Sequence, residues 1–200
     1  MNKILPTEIR NKIRVIHDGI DTTKLVPSSD VSLTINNTIT ITKNDEILTF
    51  VNRDLEPMRG YHIFMRSLPI ILNTRKSLRV LIIGGNGVSY GAASKDGRSW
   101  KDIFIEEVRP KISEKDWQRV HFLGKVPYDQ FVKVLQISTV HVYLTYPFVL
   151  SWSLLEAMSI GLPIVGSMTQ PVQEVIRDNE NGLLVDFFST EALVESVTRI

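Results

Sequence analysis

The sequence contains no cysteine. Disulfides and thiolate metal sites are therefore excluded, and the composition fits a reducing compartment. An excess of either charge is also missing: 23 basic and 22 acidic side chains leave a formal net charge of +1, which gives no electrostatic reason to bind nucleic acid. Long apolar runs are absent. The longest, at 67–72 and 78–83, fall far short of a bilayer span, and no signal peptide opens the chain, so a cytoplasmic protein without a membrane span is expected. His17, His62, His121 and His141 are scattered, with no HExxH and no close carboxylate cluster, so no metal site is expected. His141 sits mid-strand and reads as a core histidine. A GxSxG elbow is missing, which removes support for a hydrolytic nucleophile. Internal repeats and low-complexity tracts are missing too.

What is present is enough apolar material for one good core: 200 residues at 43% hydrophobic content. Taken in order, 13–16 reads as a short strand leading to the Asp18-Gly19 turn. Residues 31–42 alternate apolar and hydroxyl side chains about Asn36-Asn37, the pattern of a peripheral two-stranded ribbon. Strands follow at 47–51, 78–83, 119–123, 140–144, 164–165 and 183–185. Helices are expected at 60–73, with Ile63, Phe64, Ser67, Leu68 and Ile71 on one face, and at 100–108, 127–137, 171–176 and from Ser189 onward. Between the strand at 140–144 and that at 164–165, a proline-bearing loop leads to a short helix from about Ser151. There Trp152, Leu155, Met158 and Ser159 recur at helical spacing, and Gly161 with Pro163 marks the stop. Strands alternating with helices specify an α/β, doubly wound, mostly parallel Rossmann-like sheet, and eight repeats of a barrel would not fit. In such a sheet ligands bind outside the carboxyl ends of the strands.

Residues that could act there are few. Gly84-Gly85-Asn86-Gly87 follows a strand, but without the GxGxxG spacing or a GK[ST] it reads as a tight turn ahead of a phosphate cradle. Arg53 and Arg59 follow the strand at 47–51. They are either a solvated surface pair or, at the carboxyl end of a core strand, a bidentate clamp for phosphate. The helix start near Ser151 offers free N–H donors and a partial positive charge. Glu156 has two readings of equal weight: a ribose anchor, or the acid of the capping-box string Ser153-Leu154-Leu155-Glu156, folded back on its own helix.

The segments VIHDGID (15–21), FVNRDLEPMRG (50–60), VHFLGKVP (120–127), LLEAMSIGLPIV (154–165) and NENGLLV (179–185) resemble, in order and spacing, the C-terminal nucleotide-sugar-binding half of group 1 retaining glycosyltransferases of the GT-B fold. The resemblance covers nearly the whole chain. It implies a single donor-binding domain over 1–200, with 1–20 as a linker-like leading segment, the N-terminal acceptor domain absent and the final helix truncated. It implies transfer of a hexose from a nucleoside-diphosphate sugar to an acceptor hydroxyl, with a glycan or lipid-linked acceptor brought by the missing half. No cofactor or essential metal is implied, and the isolated domain is expected to be inactive. Residue by residue, Arg53 and Arg59 would act on the donor diphosphate, Arg59 standing where lysine is usual. Glu156 would hold the ribose. Gly124, Lys125 and Val126 would offer backbone to the base, and Leu150 and Ser151 backbone to phosphate. The first glutamate of the family's pair is replaced by Phe148, which leaves the sugar contacts open. A nucleotide-sugar epimerase of the same fold and a non-catalytic nucleotide-binding module are the rival readings.

Overall fold

The computed structural model describes residues 6–10, 12–14, 16, 18–36 and 38–200. A single helical turn, α1 (Thr7–Arg10), precedes an antiparallel ribbon of β1 (Ser32–Ile35) and β2 (Ile39–Thr42). The rest alternates: β3 (Ile47–Asp54), α2 (Tyr61–Thr74), β4 (Arg79–Gly85), α3 (Trp100–Val108), α4 (Glu114–Trp117), β5 (Val120–Gly124) and α5 (Tyr128–Ile137). Then come β6 (Val140–Tyr143), α6 (Trp152–Ser159), β7 (Ile164–Ser167), α7 (Gln170–Gln173), β8 (Leu183–Val185) and α8 (Thr190–Arg199).

β3 to β8 form one six-stranded sheet in the order β5-β4-β3-β6-β7-β8, every pair parallel. The chain winds outward from β3 to one edge and from β6 to the other. The switch point therefore lies between the carboxyl ends of β3 and β6, where such sheets open a crevice. Alternate side chains of β3 supply two cores. Leu48 and Phe50 join α2, α3 and α8 on one face, whereas Ile47 and Val51 join α5, α6 and the ribbon on the other. Burial on both faces is why β3, β4 and β6 read as near-continuous apolar runs. The expected α2 face is fully engaged, with Phe64 stacked on Phe50 at 4.3 Å between ring centroids. Burying such a ring contributes roughly 1.5–3 kcal/mol.

Four local expectations change. Among the described residues of 13–16 none is in a strand, and Ile13 and Ile16 are exposed. Val15 and His17 lie outside the described residues. On α6 the buried stripe is Leu154, Ala157 and Ile160, whereas Trp152 is 59% exposed, so the Trp152–Leu155–Met158 spacing marked a helix but not its inner face. The capping box does not form. The N-cap is Ser151, two residues before Ser153, so Leu154 occupies the third helical position and Glu156 lies too deep in the helix to fold back. α7 stops at Gln173, with Val175 and Ile176 continuing only as turns onto the Val172 carbonyl.

Candidate functional site

The site is built where β3 and β6 end. After β3 the chain makes a tight 3-10 turn at Pro57–Arg59 and turns into α2 through Gly60, whose φ of 70° lies in the left-handed region. A Cβ at Gly60 would come within 2.9 Å of Leu144 Cδ1 and closer still to Leu144 Cβ. Only glycine lets this turn sit against the end of β6. The Tyr146 N–H then donates to the Met58 carbonyl at 2.9 Å, joining the loop after β6 to the loop after β3.

Arg59 is the product of that approach. It is 7% exposed, and its Nη1 donates to Thr145 Oγ1 at 2.8 Å. Its guanidinium lies 4.7 Å from the centroid of Tyr90 and 5.7 Å from that of Phe148. No carboxylate pairs with it among the described residues. Burying a cation without an anion is costly, and the Thr145 and Tyr143 hydroxyls and two ring faces offset only part of the lost hydration. None of its nitrogens is both sealed from solvent and without a partner, so the donors not used internally remain reachable. The arrangement suits an anion arriving from outside.

The start of α6 lies on the same side. Ser151 makes no side-chain cap to its helix; its N–H donates to the Tyr143 hydroxyl at 3.1 Å, and its Oγ pairs with Ser153 Oγ at 3.0 Å. The first N–H groups of the helix therefore keep their unpaired character and partial positive charge. Burial pushes the Tyr143 phenol up, while Arg59 and Ser151 pull the other way, which makes Tyr143 a neutral link between the arginine and the helix end. Tyr143 gave no signal in the sequence beyond closing an apolar strand.

Two acids in the 50–60 segment, Asp54 and Glu56, also went unread. Glu56 is fully buried and accepts from three successive backbone N–H groups: Ser89 at 3.3 Å, Tyr90 at 3.0 Å and Gly91 at 2.9 Å. Asp54 accepts from the Gly87 N–H at 3.2 Å and the Ser89 hydroxyl, and lies 3.2 Å from Lys125 Nζ. Burial opposes its ionisation, but Ser89, Lys125 and Gly87 together hold its carboxyl below the usual range. The glycine-rich loop after β4 is thus neither a bare tight turn nor an open phosphate cradle. The N–H groups of Gly87, Ser89, Tyr90 and Gly91 are already taken by the protein's own carboxylates. This docking places Tyr90 above Arg59 and beside Phe148.

Of the residues singled out beforehand, Arg59, Phe148, Leu150 and Ser151 come together around the switch point. Arg53 is exposed at the end of β3 and makes no ion pair among the described residues. Gly124, with φ of 68°, ends β5, and Lys125 reaches back to Asp54 while Val126 packs against the α5 side of the core. Glu156 is 7% exposed and accepts from the Tyr128 hydroxyl at 2.8 Å. That phenol is pushed up to about 12, by desolvation first and then by the carboxylate. Beside Glu156 opens a cavity of about 360 Å³, lined by Gly19, Ile20, Asp21, Tyr128, Val132 and Trp152. Among the described residues no His, Asp and Glu gather as a metal-binding group, and no helix is long and apolar enough to cross a membrane.

Comparison with known proteins gives this geometry its context. Curated relatives include the D-inositol 3-phosphate glycosyltransferase of Acidothermus cellulolyticus, 26% identical over 180 residues that make up 88% of this chain and 37% of the relative. That of Rhodococcus jostii is likewise 26% identical, over 90% of this chain and 38% of the relative. The chain therefore spans well under half the length of these proteins. Among solved structures, sucrose-phosphate synthase from Thermosynechococcus elongatus superposes with a TM-score of 0.72 at 21% identity, over 94% of this chain and 43% of that one. The C-terminal domain of a group 1 glycosyl transferase from Francisella tularensis gives 0.70 at 16% identity, over 90% and 87%. A protein from Anabaena, solved with UDP and glucose, gives 0.60 at 17% identity, over 78% and 38%. These share the doubly wound half of the GT-B architecture, and none of the relatives supports an epimerase. Residues 33–200 match the family described as glycosyl transferases group 1, and the chain belongs to that family.

Proposed function

We propose that this chain is the donor-binding domain of a retaining glycosyltransferase, which moves a hexose from a nucleoside-diphosphate sugar to an acceptor hydroxyl of a glycan or lipid-linked acceptor. The observation that carries the reading is Arg59: a buried guanidinium without a carboxylate partner among the described residues, at the sheet's switch point, bonded to the loop that leads into the uncapped start of α6. In this reading the diphosphate lies between Arg59 and that helix start, with Arg53 closing on it from solvent. The ribose hydroxyls donate to Glu156, displacing the Tyr128 hydroxyl, and the cavity beside Glu156 gives the nucleoside room. The backbone of Gly124, Lys125 and Val126 meets the base, and that of Leu150 and Ser151 meets phosphate.

The chemistry asked of these residues is electrostatic. The bond from the anomeric carbon to the diphosphate oxygen breaks with its electron pair going to the diphosphate. The acceptor oxygen then bonds to the same face of that carbon, and its proton passes to the leaving group. Charge builds on the diphosphate, where Arg53, Arg59 and the helix end stabilise it. A charged hydrogen bond contributes about 1.5–3 kcal/mol and a helix end about 0.3–2 kcal/mol, so the parts must act together to hold a nucleotide. With that positive charge supplied by the protein, the reading needs no essential metal and no other cofactor. In this reading the acceptor is held outside these 200 residues, which alone bind donor without turnover, and the reaction takes place in the cytoplasm. Phe148, standing in place of an acid, favours one second reading, a non-catalytic nucleotide-binding module.

A thermal-shift screen of nucleoside diphosphates, followed by calorimetry, tests the site. Arg59→Ala and Arg53→Ala should each weaken binding of the responding nucleotide at least tenfold. Glu156→Gln should weaken the nucleotide but not free pyrophosphate. No response to any nucleoside diphosphate, or turnover by the isolated chain, sinks the assignment. Failure of a longer chain carrying this domain to release nucleoside diphosphate from any nucleotide sugar supports the non-catalytic module.

A further inference from the structure

The rings of Tyr90 and Phe148 lie 4.8 Å apart at 51°, and each residue is 41% exposed. Both stand over the same guanidinium. Neither is free to drift. Tyr90 is held by its own N–H on Glu56, between two neighbours whose N–H groups bond the same carboxylate. Gly91 packs so closely under the loop that a Cβ there would meet Met58 Cγ at 3.1 Å and Glu56 Oε2 at 3.2 Å. Phe148 is carried by the loop that Tyr146 pins to Met58. The nearest acids along the chain, Asp54 and Glu56, are buried and already bonded to the glycine-rich loop. The ground next to Arg59 is therefore a firm aromatic wall, with the Tyr90 hydroxyl as its polar edge.

If the diphosphate lies on Arg59, as proposed above, the group attached to it must lie against this wall. We infer that Tyr90 and Phe148 read the transferred sugar, and that they select a sugar with an apolar edge, a deoxyhexose, over a fully hydroxylated hexose. A hydroxyl pressed on two rings gives up its water and gains no partner, whereas a methyl or bare C–H edge gains contact with both. Tyr90 and Phe148 are thus specificity-determining residues for the donor, and Glu56 is the positioning residue that holds the first of them in place.

The experiment is calorimetry on the 200-residue chain with matched donors: the hexose and the 6-deoxyhexose of uridine, guanosine and thymidine diphosphate, plus each free diphosphate. For whichever base binds, the 6-deoxyhexose should bind at least tenfold tighter than the hexose. Phe148→Ala and Tyr90→Ala should each bring that ratio to within about threefold, and Tyr90→Phe, which keeps the ring, should preserve it. Circular dichroism of each variant confirms that it is folded. A wild-type ratio near one or favouring the hexose overturns the inference, as does a ratio unmoved in both alanine variants. If the free diphosphate binds and loses affinity in Arg59→Ala while the ratio stays flat, only the sugar assignment fails. If no diphosphate binds, the reading beneath it fails as well.

Discussion

Gly60→Ala puts the physical argument for this site to its hardest trial. Two penalties combine at one atom. An alanine must adopt the left-handed conformation that Gly60 holds at φ 70°, which costs about 1–2 kcal/mol. Its Cβ must also enter the space of Leu144, 2.9 Å from Cδ1 and nearer to Cβ, and relief requires the turn or the end of β6 to shift, at about 1–3 kcal/mol for overpacking. Together these predict a loss of roughly 2–5 kcal/mol, a large part of the 5–15 kcal/mol typical of a domain. The same shift parts Arg59 from Thr145 and Tyr146 from Met58, so nucleotide affinity should fall alongside stability. Urea denaturation measures the first effect and calorimetry with a bound nucleoside diphosphate the second. A midpoint change worth less than about 1 kcal/mol would refute the steric reasoning. Lost stability with unchanged affinity would show that the approach of the two loops does not matter to the site.

Two further outcomes follow from buried polar groups. Glu56→Ala removes the acceptor for three backbone N–H groups, so amide exchange at Ser89, Tyr90 and Gly91 should speed up at least tenfold and proteolysis within 86–99 should rise; unchanged exchange by mass spectrometry argues that the carboxylate does not hold the loop. His141 is fully buried with Nδ1 3.0 Å from Thr49 Oγ1, and burial lowers its pKa to about 4. The unfolded chain, titrating near 6.5, binds the extra proton first, so stability is intact above pH 6.5 and is lost as pH falls towards 4, at about 1.4 kcal/mol per unit. His62, lowered to about 4 by burial and then by Arg66, acts in the same direction. Urea melts from pH 7 to 5 should show a steeper loss in wild type than in His141→Asn, and equal slopes would contradict the assignment.

The fold was largely legible in the sequence because burial on both sides of a parallel sheet writes itself as apolar runs. The 47–51 and 78–83 segments, the five named residues of α2 and the ribbon about Asn36-Asn37 carry such signals. A lone segment misled: 13–16 has the residues of a strand, yet its described residues join no sheet and Ile13 and Ile16 are exposed. In the candidate site, the place of Arg53 and Arg59 at the carboxyl end of a core strand was readable from the apolar run before them. The site was illegible where two distant segments meet. Glu56 and Asp54 look like ordinary loop acids until β4 brings the glycine-rich loop over them, and Tyr90 has no sequence mark at all. Glu156 shows the opposite failure, because a local string matched a capping rule that the actual helix start at Ser151 does not obey.

The bond between Glu56 and the loop at 89–91 also settles a contest. Successive N–H groups of this kind are an anion receptor, and a free diphosphate would otherwise be drawn to them. Glu56 is tethered to the same chain, so it competes for them at an effective concentration in about the millimolar range or above, which a micromolar diphosphate does not match. It is an intramolecular competitor. By occupying one anion receptor, it leaves an incoming phosphate the ground between Arg59 and the start of α6.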